Sequence, residues 1–151
     1  MCGTKDKMKV LFLCTGNSCR SQIAEGWARH LKSDVIEAYS AGVSPGLLSS
    51  RAVTVMAEAG VNILQQTPKH VDKLQGVDFD YVVTLCDNAR EQCPVFGGKT
   101  KLIHKVFEDP SFMVGSEEEI MAAFRSLRDG IKAFIETLPE NLESESTQEV
   151  K

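Results

Sequence analysis

The stretch "KVLFLCTGNSCRSQIAEGWARHL", residues 9–31, decides how the rest of the chain is read. Lys9 to Cys14 is a short apolar run rich in strand formers, and it breaks at "CTGNSCRS". Ile23, Trp27 and Leu31 then recur at i, i+4 and i+8, the spacing of a helical face. A strand, a small-residue turn and a helix in immediate succession are expected. Three further runs resemble the first: "DVIEAYS" (34–40), "FDYVVTL" (79–85) and "TKLIH" (100–104). Between them Val53, Met56 and Ala57 mark a helix that Gly60 should stop, and Thr67-Pro68 reads as a helix cap followed by its first residue. The clearest helix carries Ile120, Phe124, Leu127, Ile131, Phe134 and Leu138, opened by a Ser116/Glu119 capping box. Strands alternating with helices predict a parallel sheet covered on both faces, with ligands bound beyond the carboxyl ends of the strands.

A chain of 151 residues, 42% hydrophobic and 25% charged, is sized for one core. The formal charge of -4 is concentrated after Pro139, where four glutamates face one lysine and account for -3 of it. Two segments are therefore expected: a folded domain over 1–138 and an acidic, disordered tail over 139–151. The nearly neutral body has no basic run of five or more, which argues against nucleic-acid binding. The N-terminal apolar run is too brief for a signal segment or a membrane span, so a soluble, cytoplasmic protein is expected, a monomer by default.

In that setting cysteines are more at home as thiols, metal ligands or redox catalysts than as a disulfide framework. Cys2 is assigned no role. Cys14 closes the first strand, where Thr15, Gly16, Asn17, Ser18, Cys19, Arg20 and Ser21 can form a nest of backbone N–H groups at a helix N-terminus. Such a nest suits a tetrahedral oxyanion, and the Arg20 guanidinium can grip two of its oxygens. The same field favours a thiolate at Cys14. Cys19, adjoining Arg20, is the rival nucleophile, but its place in the loop points it back toward the helix or core.

Cys86 and Cys93 bracket "DNARE" in "TLCDNAREQC" (84–93). On a helix they would stand about 10.5 Å apart along the axis, whereas a disulfide needs its Cα atoms within roughly 4.4–6.8 Å. Two buried thiols, two metal ligands or a redox pair are the readings open to them. A metal would need two more ligands, and His104 is a lone histidine on an expected strand.

"CTGNSCRSQIAEGWARH" (14–30), "YSAG" (39–42), "VVTLCDNAREQCP" (82–94) and "FEDPS" (107–111) together resemble the low-molecular-weight protein tyrosine phosphatase superfamily, and more closely its arsenate reductase branch. The resemblance runs from about residue 8 to 138. It implies an α/β domain of the phosphotyrosine phosphatase I-like type, a four-stranded parallel sheet flanked by helices. It also implies Cys14 as nucleophile, Arg20 as oxyanion binder and Asp109 as the acid that protonates a leaving group, held extended by Pro110. Phosphatases of the superfamily follow the Asp-Pro with aromatic residues, whereas here Ser111 stands next and only Phe112 after it.

The reductase branch implies more. Cys14 takes up arsenate, Cys86 attacks the Cys14 sulfur to form a Cys14–Cys86 disulfide and release arsenite, and Cys93 then forms Cys86–Cys93 as the intervening helix unwinds. No tightly bound cofactor is implied; an external thiol reductant, thioredoxin on this resemblance, regenerates the enzyme, and phosphate or sulfate should mimic arsenate. Asn17, Glu25 and Ser40 match positions that bind potassium in some members, but Lys69 falls where those carry an aspartate. Three readings of these positions stay open: a potassium site, the Lys69 ammonium in its place, or hydrogen bonds that stabilise the loop. A phosphatase sharing Cys14, Arg20 and Asp109 is the alternative.

Overall fold

The computed structural model describes residues 7–94, 96 and 99–142. Cys2 and the tail from residue 143 onward lie outside the described residues.

The four expected strands are all present: β1 (Met8–Cys14), β2 (Ile36–Gly42), β3 (Tyr81–Thr84) and β4 (Lys101–His104). They form one parallel sheet in the order β2-β1-β3-β4. Val10, Leu11, Phe12 and Leu13 of β1 alternate between the two faces yet are all fully buried, so helices and loops cover both sides of the central strand. Such a strand reads as an unbroken apolar run, which is why residues 9–14 announce it so plainly.

The helices are α1 (Arg20–Leu31), α2 (Ser50–Glu58), α3 (Asp87–Glu91) and α4 (Glu117–Glu136). α1, α2 and α4 pack on one another, and α3 lies against β1 and β3. α1 is closely packed at Gly26, where a Cβ would come within 2.6 Å of the Ile63 side chain beyond α2 and 3.1 Å of Met56 on α2. Gly60, at φ +85°, takes the left-handed conformation that ends α2. α4 opens with the reciprocal Ser116/Glu119 capping box and buries Phe124, Leu127, Ile131 and Phe134. Among the described residues no helix is long and apolar enough to cross a membrane.

Two expectations need correction. Thr67-Pro68 does not open a helix; the Lys69 carbonyl accepts the Gly42 amide at 2.9 Å and His70 bridges to Gly42, so this backbone runs extended beside β2. A 3₁₀ turn follows only at Val71–Leu74. The boundary at 138 is also too early, because a turn after Leu138 brings Leu142 into the core with no exposed surface.

Chain order places the site. From β1 the chain goes to β2 on one side and later returns to β3 on the other, so the sheet changes winding direction at the carboxyl end of β1. That end is Cys14.

Candidate active site

Residues 15–19 leave the sheet in a series of bends and enter α1 at Arg20. The carbonyls along this path all turn outward. Those of Cys14, Thr15, Gly16 and Ser18 accept the amides of Val43, Ser44, Gly46 and Ser49 at 2.8–3.2 Å. The Asn17 carbonyl accepts the Gln22 side-chain amide at 2.9 Å, and that of Cys19 accepts the Ile23 amide. With the oxygens committed outside, the N–H groups are left to the hollow of the loop, the arrangement an oxyanion requires. α1 has neither a side-chain cap nor an acidic residue in its first turn, so its N-terminal donors are free for the same anion.

The turn is made at Asn17, whose φ of +50° lies in the left-handed region that asparagine tolerates best after glycine. Both ends of its amide are engaged: Oδ1 accepts the Lys69 backbone N–H at 2.9 Å, and Nδ2 donates to Ser21 Oγ at 2.7 Å. Having accepted that bond, the Ser21 hydroxyl has its hydrogen free for Cys14 Sγ, 2.9 Å away. The sulfur therefore has a donor aimed at it from inside the fold. Cys14 is 1% exposed and sits at the floor of the loop.

Cys19 is a different kind of thiol. Burial pushes its pKa up, the charges of Asp109 and Cys14 push it further, and only Arg20 opposes them. Burial thus favours its neutral form, and its side chain packs in the core.

Arg20 reaches from the first turn of α1 to the Asp-Pro loop. Nη1 donates to the Phe107 carbonyl at 3.1 Å, and Nη2 lies 3.4 Å from Asp109 Oδ2. Its Nε–H is buried without an acceptor among the described residues, a position an anion in the loop would satisfy. Asp109 is extended, as the following proline requires, and its Oδ1 caps the short turn at Pro110–Phe112 by accepting the Ser111 amide. Loop, guanidinium and carboxylate are thus connected.

Cys86 and Cys93 flank α3 rather than lie within it. Cys86 is the N-cap, its Sγ accepting the Ala89 amide at 3.4 Å, while Cys93 follows the C-cap Gln92. Cys86 Sγ lies 3.3 Å from Thr15 Oγ1, so it stands at the oxyanion loop itself. Thr15 Oγ1 also accepts the Asn88 side-chain amide at 3.0 Å, tying α3 to the loop. Cys93 is half-buried, and burial raises its pKa. All four described cysteines are free thiols.

The potential potassium ligands are brought together but already engaged. Glu25 accepts the Ser40 hydroxyl at 2.5 Å and the Arg29 Nε–H at 2.7 Å, and Lys69 Nζ donates to the Ser40 carbonyl at 3.0 Å. With Asn17 also committed, this donor set does not fit a metal ion. No cluster of three or more His, Cys, Asp or Glu side chains among the described residues could hold one.

The sequence reading passed over the 43–49 segment that braces the loop, and Asn88, which ties α3 to it. The only local signal was "SPG" beyond the carboxyl end of β2, where ligand-binding loops gather.

The profile of the low molecular weight phosphotyrosine protein phosphatase family matches residues 9–148. The chain belongs to this family. Among its phosphatase-family relatives, the arsenate reductase of Shouchella clausii is 44% identical over 136 residues, covering 89% of this chain and 96% of that one. Of solved structures, the low molecular weight protein tyrosine phosphatase from T. tengcongensis is 28% identical with a TM-score of 0.70, covering 89% of this chain and 99% of its own. The thioredoxin-dependent arsenate reductase of Corynebacterium glutamicum is 26% identical with a TM-score of 0.59, covering 90% of this chain and 65% of its own.

Proposed function

We propose that the protein is an arsenate reductase working by a cysteine relay, with Cys14, Cys86 and Cys93 acting in turn. The observation that carries this reading is the placement of Cys86 Sγ at the oxyanion loop, 3.3 Å from Thr15 Oγ1, with a second thiol just past the far end of a five-residue helix. A phosphatase needs neither thiol. The 44% identity to a protein named arsenate reductase supports the same conclusion.

The Cys14 thiolate displaces one oxygen of arsenate, which leaves as water with a proton from Asp109, while the loop amides and Arg20 hold the remaining oxygens. The Cys86 thiolate then attacks the Cys14 sulfur. The electron pair of the S–As bond stays on arsenic, arsenic(V) becomes arsenite, and two thiols become a Cys14–Cys86 disulfide. Cys93 attacks Cys86, freeing Cys14 and leaving Cys86–Cys93. A dithiol reductant of the thioredoxin type returns that pair to thiols, a step supported by the thioredoxin-dependent structural neighbour.

Lys69 takes the role of a bound potassium ion in this scheme. Its ammonium donates to the Ser40 carbonyl, and burial lowers its pKa while the nearby Glu25 carboxylate works the other way.

The deciding assay is arsenate-dependent oxidation of reduced thioredoxin, which added potassium should leave unchanged. Mass spectrometry after one turnover should find Cys86 linked to Cys93. Cys93→Ser should abolish repeated turnover while sparing any hydrolysis of p-nitrophenyl phosphate. A lasting Cys14–Cys19 bond, or equal loss of both activities, would refute the relay in favour of a phosphatase.

A further inference from the structure

A five-residue helix has too few internal hydrogen bonds to persist alone, so what holds α3 in shape is what its side chains touch. Ala89 is buried in the core, and Asn88 is tied to Thr15 of the oxyanion loop. The remaining tie runs the other way. Asp87, the first residue of the helix, meets β4 through His104, with Nε2 2.9 Å from Asp87 Oδ1.

The imidazole is itself fixed. Its other nitrogen, Nδ1, lies 2.7 Å from Thr84 Oγ1 on β3. A carboxylate can only accept, so Nε2–H donates to Asp87; in the neutral ring Nδ1 is then an acceptor, and the one hydrogen of the Thr84 hydroxyl goes to it at 2.7 Å in preference to the Ile103 carbonyl at 3.3 Å. The His104 side chain is 15% exposed and that of Asp87 76%, so a rooted ring holds an otherwise free surface residue. His104 also lines, with Thr84, Arg90 and Cys93, a crevice of about 80 Å³. One residue therefore grips the start of α3 and borders the thiol beyond its end.

We propose that the Thr84–His104–Asp87 chain is a latch that keeps α3 helical while Cys86 and Cys93 are thiols, with His104 as the positioning residue that sets the balance between thiol and disulfide forms. The proposal rests on the relay above. From its N-cap Cys86 to its C-cap Gln92 α3 holds the chain apart by six helical steps, about 9 Å, with Cys93 one residue beyond, whereas a disulfide wants its Cα atoms no more than roughly 6.8 Å apart, so closing the bond works against an intact α3. Asp87 directly follows Cys86, and unwinding from that end draws its carboxylate off His104. The latch thus stabilises only the reduced form.

The test uses the full-length protein in buffers of oxidised and reduced dithiothreitol. Cys86 and Cys93 together give two protons and two electrons to oxidised dithiothreitol, leaving the protein disulfide and reduced dithiothreitol. The ratio of the two protein forms, read by thiol trapping and mass spectrometry, reports the latch directly.

Loss of one hydrogen bond to a charged group should shift that ratio toward the disulfide by about tenfold in His104→Phe, which keeps the ring volume. Asp87→Ala should give a similar shift, and the double variant no more than either single one. Amide exchange over 87–91 should quicken in the reduced variants, whereas β1 should keep its protection. A wild-type ratio in both single variants, or additive shifts in the double one, overturns the latch. If the wild-type protein forms no Cys86–Cys93 bond at any buffer ratio, the relay fails first and the latch with it.

Discussion

Two thiols of this protein differ in what surrounds the sulfur. Cys14 receives a hydroxyl hydrogen bond from Ser21, whereas Cys93 has burial working against its charge. Because burial raises the Cys93 pKa above the ordinary 9.0, its neutral form persists to higher pH than that of a free cysteine. Alkylation of Cys93 by iodoacetamide in the reduced protein should accordingly keep rising past pH 9, whereas in urea it should level off earlier; peptide mass spectrometry at a series of pH values would follow both. At this scale the sequence was informative about identity and silent about partners. Cys14 and Arg20 could be picked out because a thiol and a guanidinium at this spacing after a strand are uncommon by chance, whereas Asp109 stood out only through the family resemblance. The Ser21 bond to Cys14 and the Asn88 bond to Thr15 depend on how the backbone turns at Asn17, which no spacing reveals.

Between elements, the oxyanion loop is shaped from outside by the chain that follows β2. Residues 43–49 take the carbonyls of Cys14, Thr15, Gly16 and Ser18, and Gly42 lets the two backbones approach. A Cβ at position 42 would stand 2.6 Å from the Thr15 carbonyl oxygen and 3.0 Å from the Asn17 amide nitrogen, both of them backbone atoms that cannot swing aside. Gly42→Ala should therefore displace the loop and lower turnover by about a hundredfold, the cost of an ångström-scale misplacement, while far-ultraviolet circular dichroism stays unchanged. The strands and α4 were legible because burial imposes a period on side chains. This brace was not, since it is made of main-chain atoms that every residue supplies. Thr67-Pro68 misled for the same reason: locally it is a sound helix start, and the Gly42 bond that keeps the following residues extended comes from a distant strand.

Across the whole molecule, one sheet joins every part of the site: β1 delivers Cys14, β3 leads to Cys86, β4 carries His104, and α1 presents Arg20. α4 takes no part in the chemistry but closes the core, and Leu142 extends that closure beyond the helix. Leu142→Ala should lower stability by about 2–5 kcal/mol, seen as an earlier urea midpoint with an unaltered slope, because it empties a fully buried site. The sequence reading drew the boundary before this leucine because acidic residues surround it, and composition averages away a single buried side chain. The outward carbonyls of the loop have a last consequence for selectivity. A cup lined by peptide N–H groups gauges negative charge and tetrahedral form, and phosphate presents both as well as arsenate does. Discrimination then falls to reactivity: of the two, arsenic is the centre that accepts an electron pair when sulfur departs. On the proposed reaction phosphate is an occupant that is held and let go unchanged, so turnover in its presence depends on how quickly the cup empties as much as on how tightly it fills.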